Sequence, residues 1–88
     1  MTVVQVEMLA DSSNSAVLRL PGRKHPGVLV QGDSLSVLAG LAGEANEAIA
    51  KNDYSEAASA LRELLSRLEE YQHMYEGALS LHDLAKPY

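Results

Sequence analysis

Seven apolar residues, Ala57, Leu61, Leu64, Leu68, Tyr71, Tyr75 and Ala78, recur at spacings of 4, 3, 4, 3, 4 and 3. Such a run lines one stripe of an α-helix and is incompatible with a strand, whose faces alternate every second residue. Asp53-Tyr54-Ser55-Glu56 marks its start, with a carboxylate at the N-cap position and an acid three residues on, a capping-box arrangement. The spacing predicts a helix from Tyr54 to Glu76, roughly 35 Å long at about 1.5 Å per residue.

A second amphipathic stretch precedes it. From Ser34 to Lys51, Leu35, Leu38, Leu41, Ala42, Ala45, Ala48 and Ile49 fall on one side of a 100° wheel. Gly32 breaks the chain before it, and Asp33 or Ser34 is placed to cap it. Ser36, Gly40, Gly43 and Glu47 gather on its back face, and each interior glycine costs about 1 kcal/mol relative to alanine. Either something packs closely against those glycines or the helix is a weak one. With only Asn52-Asp53 between them, the two helices should pair as an antiparallel hairpin. The first, roughly 27 Å long, is outrun by the second. The last turns of the second helix must then lie against the sheet or reach a second copy. Gly77 is expected to end or bend it, with Ser80 capping a short last turn through Asp83. The tail, Leu79 to Leu84, is too apolar to stay unpacked.

Upstream the period changes to two. Val4, Val6 and Met8 alternate with Gln5 and Glu7, which predicts a half-buried strand with those three on the core face. Asp11-Ser12-Ser13-Asn14 is turn chemistry. Ala16, Leu18 and Leu20 then alternate with Val17 and Arg19 as a second, antiparallel strand ended by Pro21-Gly22. Pro26-Gly27 closes the next connection, and Val28-Leu29-Val30 makes a short third strand. The expected fold is α+β in one domain, residues 1–88: a three-stranded antiparallel meander over 3–31 followed by a two-helix antiparallel hairpin over 33–84.

The formal net charge of −5 is uneven. Acids and bases balance over residues 1–33, so the whole excess falls in the helical half. An acidic helical half argues against nucleic acid or an anionic membrane as partner, because both need a broad basic surface. No run approaches the ~18 apolar residues of a membrane span, and the N-terminus lacks the pattern of a signal peptide. With no cysteine, the chain has no disulfide and no thiolate metal site. A cytoplasmic location is the expectation.

Catalytic constellations are absent from the pattern. His25, His73 and His82 have no carboxylate partner at a ligand spacing that survives the helical wheel. Glu70-Tyr71-Gln72-His73 has the E-x-x-H spacing of di-iron bundles. Its Glu70 and His73 nevertheless point about 150° away from the seam near Leu68 and Tyr75. The serines lack the G-x-S-x-G elbow of a hydrolase. No enzyme, metal or cofactor is expected.

Two candidate sites remain. Arg19, Arg23 and Lys24, with the helix start at Ser34, are the parts of an anion site for a phosphorylated or carboxylated small molecule. Tyr71, Met74, Tyr75, Leu79 and Leu81, on the overhanging end of the second helix, are a candidate interface for a homodimer. A third reading is an immunity-type binder whose acidic face neutralises a cationic protein partner.

Leu20-Pro21-Gly22-Arg23, Pro26-Gly27 and Gln31-Gly32-Asp33-Ser34 together resemble the signature L-P-G-R-x-x-P-G-x-x-x-Q-G-D-S of a family of small uncharacterised bacterial proteins. The resemblance covers the first half of the chain. It implies a stand-alone small bacterial domain and no assigned activity. On residues alone, the function reads as unknown, with self-association through the long second helix ahead of anion binding.

Overall fold

The computed structural model describes all 88 residues. Three strands come first, β1 (Glu7–Asp11), β2 (Ser15–Arg19) and β3 (Gly27–Val30), followed by the helices α1 (Gly32–Ala50) and α2 (Tyr54–Leu81). The sheet order is β1-β2-β3 with both pairings antiparallel, the expected meander. The chain forms two compact units, one of residues 1–30 with 71–88 and the other of residues 31–70, so that α2 contributes to both.

In the sheet unit, register decides which side chains meet the core. Glu7 pairs with Arg19 and Met8 with Leu18, but the next pair is Ala10 with Val17, so Leu9 is an extra residue in a β-bulge. The bulge reverses the expected face of β1. Leu9 and Ala10 pack against the core, whereas Val4, Val6 and Met8 are exposed and the strand starts only at Glu7. Val17, 0% exposed, pairs with Val28 on the core side.

The core itself is Val17 with Tyr75, Ala78 and Leu79 of α2, joined by Met74 and Leu84. The last turns of α2 are thus covered by the chain's own sheet. Ser15 Oγ lies 3.2 Å from Met74 Sδ, and the Tyr75 hydroxyl donates a 2.8 Å hydrogen bond to the Pro26 carbonyl. His82 Nε2 meets the Leu9 carbonyl at 3.1 Å. Glu76 ties the tail back: it accepts from the Tyr88 hydroxyl at 2.8 Å and pairs with Lys86 at 3.2 Å. Those two partners hold its carboxyl below the usual range, the Tyr88 bond first.

Gly77 does not end α2, which runs unbroken to Leu81. The stop comes instead at Asp83, whose φ of 55° reverses the chain. Leu84 N–H then donates to the Leu79 carbonyl and Asp83 N–H to the Ser80 carbonyl, the two bonds of a Schellman motif, so Ser80 acts through its carbonyl and caps no new turn. Leu84 packs against the cluster that holds Leu79, the apolar contact which accompanies this motif.

The hairpin unit ends α1 the same way. Asn52 has φ 59°, Asp53 N–H donates to Ala48 at 2.8 Å and Asn52 N–H to Ile49 at 3.0 Å. Asp53 then serves the next helix, accepting from Glu56 N–H at 3.1 Å as its N-cap. Both reversals use a residue with a Cβ where glycine is unstrained. Asn52→Gly and Asp83→Gly should each raise stability by about 0.5 kcal/mol, read as a shift in denaturation midpoint. A loss at either position would show that the side chain does more than occupy the turn.

The inner seam of the hairpin is small. Ala45 and Ala48 of α1 and Ala57 and Ala60 of α2 are its buried residues, with Leu38, Leu41 and Leu64 half-buried. Alanines let two helices approach closely but remove little apolar area from water.

Candidate functional site

The residues of the expected anion site are divided between the two units, Arg19, Arg23 and Lys24 in the sheet unit and Ser34 in the hairpin unit. Arg19 and Glu7, opposite one another on β2 and β1, form a two-pronged ion pair with Arg19 Nε and Nη2 each 2.9 Å from a Glu7 oxygen. The hydrogen bonds and charge of Arg19 hold the Glu7 carboxyl below the usual carboxylate range, and Glu7 raises the guanidinium in turn. Arg19 is therefore neutralised within the sheet. Ser34 belongs to the hairpin unit, and α1 starts two residues earlier than expected, at Gly32. Its N-cap is Gln31, which makes no side-chain cap bond, and the Asp33 carboxylate instead accepts from Ser34 N–H at 2.9 Å. That carboxylate occupies the helix start where an anion would sit. Arg23 and Lys24 remain: the three ion pairs of the chain use Arg19, Arg67 and Lys86, and these two enter none.

Arg23 lines an open groove of about 410 Å³ on the sheet. Its walls are Leu18, Leu20, Val28 and Leu29, with Gly27 between them and the loop residues Arg23, His25 and Pro26 at its end. The loop is held at both ends. Gly22 at φ 75° turns the chain so that Arg23 N–H reaches the Leu20 carbonyl at 3.2 Å, and buried Pro26 is anchored by Tyr75.

The residues expected at a dimer interface divide. Tyr75 and Leu79 are buried in the chain's own core, and Tyr71 and Met74 are half-buried. The sheet has taken the face that a second copy was expected to cover. Leu81 alone is fully in solvent, at 78% exposure.

A different apolar surface is open, in the hairpin. On α2, Tyr54, Ala58, Leu61, Leu65 and Leu68 follow one another at 4, 3, 4 and 3, and all but Ala58 are exposed. On α1, Leu35, Ala42 and Ile49 repeat every seventh residue and are exposed. Each stripe is rotated by roughly 80° from the inner alanine seam, in the same rotational sense along its helix. Because the helices run antiparallel, that common sense carries both stripes to one side of the hairpin. Leu61 and Leu68, members of the seam found first in the sequence, thus belong to the outer stripe. The sequence carries the clue as a second 4–3 series that shares Leu61 and Leu68 with the first and has Ala58 and Leu65 in place of Ala57 and Leu64.

Glu44 and Glu56 face each other across the hairpin, and a hydrogen bond shared with Glu44 raises the Glu56 carboxyl, with repulsion from Glu44 and Asp53 adding to the effect. Both side chains are exposed, so the pair is a local feature of the acidic surface. No three His, Asp or Glu side chains are grouped so as to hold a metal ion, and Glu70 and His73 are exposed. No helix is long and apolar enough to cross a membrane.

A family of unknown function, DUF6959, matches the chain over residues 1–88, and the chain belongs to that family. The match runs the full length, where the motif resemblance reached only the first half. No curated protein and no solved structure matches it.

Proposed function

We propose that this DUF6959 member is a non-enzymatic interaction protein that self-associates, two hairpins packing through their outer stripes into a four-helix bundle. The observation that carries the reading is the outer stripe of α2, with Leu61, Leu65 and Leu68 exposed by 47–57%. Scattered exposed leucines are ordinary on a protein surface, but leucines at alternating 4 and 3 spacing are the knobs of helix-on-helix packing. A helix with two such seams is built for two helical neighbours, and the hairpin supplies one. The same side of α1 offers Leu35 and Ile49, 58% and 49% exposed, which gives a two-helix face matching a copy of itself.

The magnitudes suit a modest dimer. Completing the burial of a half-exposed leucine contributes about 1 kcal/mol, and association costs on the order of 4–15 kcal/mol. Six such side chains per copy contribute about 12 kcal/mol to a dimer, which exceeds the lower end of that cost by about 8 kcal/mol and corresponds there to micromolar affinity. A bacterial setting, supported by the resemblance of residues 20–34, and a cytoplasmic location, in keeping with a chain that has no cysteine, are part of the same reading.

Sedimentation velocity across a low- to high-micromolar series tests it. The wild-type chain should move from monomer to dimer, and Leu61→Glu/Leu65→Glu should stay monomeric while keeping its helical circular dichroism. A wild-type monomer throughout the series, or a double variant that still dimerises, refutes the reading.

A further inference from the structure

One face of the sheet is packed by α2, and the other carries Leu18 and Leu29 and ends in a cationic loop. Val17 and Val28 pair across β2 and β3 on the side packed by α2, so their neighbours Leu18 and Leu29 point to the other side. Leu18 is opposite Gly27 across the strands, and a Cβ added at Gly27 would meet nothing within 4 Å. The missing side chain leaves the floor of the groove open between Leu18, Leu20 and Leu29. Its volume, about 410 Å³, falls within the range of small-molecule clefts, roughly 300–1,000 Å³. At its rim stand Arg23 and His25, on a loop fixed by the Gly22 turn and the Tyr75–Pro26 bond.

Charge decides what would fit. From Leu20 to Val30 there is no acid, while Arg23 and Lys24 carry no ion pair in a chain of net charge −5. Elsewhere on this sheet an arginine is neutralised: Arg19 is gripped by Glu7. A free guanidinium beside a leucine-walled groove is complementary to an aliphatic chain that ends in an anionic head group, of which a carboxylate is the simplest. We propose that the groove binds a medium-chain carboxylate, its chain along Leu18, Leu20 and Leu29 and its head group on the Arg23 guanidinium. The planar fork of arginine matches the two oxygens of a carboxylate. The site lies wholly in the sheet unit and does not depend on association through the hairpin.

Amide chemical-shift titration with monomeric octanoate, and separately with 1-octanol, tests the assignment. Octanoate should move the resonances of Leu18, Leu20, Arg23 and Leu29 in a saturable way. Hexanoate should bind about two- to fourfold more weakly for each methylene removed. Arg23→Gln should weaken octanoate about tenfold and leave octanol unchanged. Gly27→Val should abolish both while preserving the spectrum of the fold, because its Cβ enters space with no atom within 4 Å. Equal affinity of Arg23→Gln and wild type overturns the proposal, as does full binding by Gly27→Val. Shifts confined to Leu61, Leu65 and Leu68 overturn it too, since they would mark general adsorption to exposed leucines. A response only to phosphatidylglycerol vesicles, with none to monomeric octanoate, would identify a membrane surface instead and refute a small-molecule site.

Discussion

Leu79→Ala should lower the stability of the chain by about 2–5 kcal/mol, because the sheet unit has no second side chain able to replace it. Leu79 is 1% exposed, and it and Val17 are the only large side chains fully enclosed. The whole folding free energy expected for a domain of this size is on the order of 5–10 kcal/mol, so the substitution removes a large share of it. The cost has two parts, lost transfer of the deleted carbons and the cavity left between β2 and α2. Leu84 is the nearest candidate to collapse into that cavity, but the Schellman bonds of its own backbone hold it in place. Leu81→Ala is the matched control: two residues on and 78% exposed, it should change stability by less than about 0.5 kcal/mol. Urea denaturation of the two variants checks the contrast. Equal effects would mean that α2 does not dock on the sheet through Leu79. A large effect at Leu81 that depends on protein concentration would return the dimer interface to the end of α2.

The meander, the hairpin and the Asp53 cap were legible in the residues because each rests on local pattern: alternation, helical spacing, a carboxylate before a helix. What escaped the sequence depends on register and on partners distant in the chain. The face of β1 turned over because one residue, Leu9, bulges out of the ladder, and nothing about Met8-Leu9-Ala10 announces a bulge. The same register places Glu7 opposite Arg19, which removed one of the three cations from the candidate anion site. The ends of both helices were obscured because Asn52 and Asp83 stand where a glycine would have signalled the turn, while Gly77, the visible glycine, lies inside α2. The seam of α2 has the spacing of a single stripe, yet it serves the hairpin at Ala57, the sheet at Tyr75 and Ala78, and solvent at Leu61 and Leu68. Spacing identified the helix; only packing could say which neighbour each residue meets.

The glycines inside the helices offer the largest gain. No atom outside the local helix backbone lies within 4 Å of a Cβ added at Gly40, Gly43 or Gly77, and none of the three has positive φ. Of the two explanations for the glycine-bearing back face of α1, close packing within the chain is therefore excluded, which leaves a weakened helix or a glycine face turned to a second copy. Replacing each by alanine should contribute about 1 kcal/mol by restricting the unfolded backbone. The positions share no partner, so the triple variant should gain about 3 kcal/mol and melt roughly 10–20 °C higher than wild type. Gly40 and Gly43 lie roughly 130° around α1 from the Leu35–Ala42–Ile49 stripe. If the hairpins associate through the outer leucines, the added methyl groups face away from the contact and the dimer persists in sedimentation. A variant that melts higher but no longer dimerises would show that copies meet across the glycines, where backbones can approach most closely, and the leucine-stripe bundle would be wrong. One protein sample, read by melting and by sedimentation, thus separates a helix weakened by glycine from a helix whose glycines face a partner.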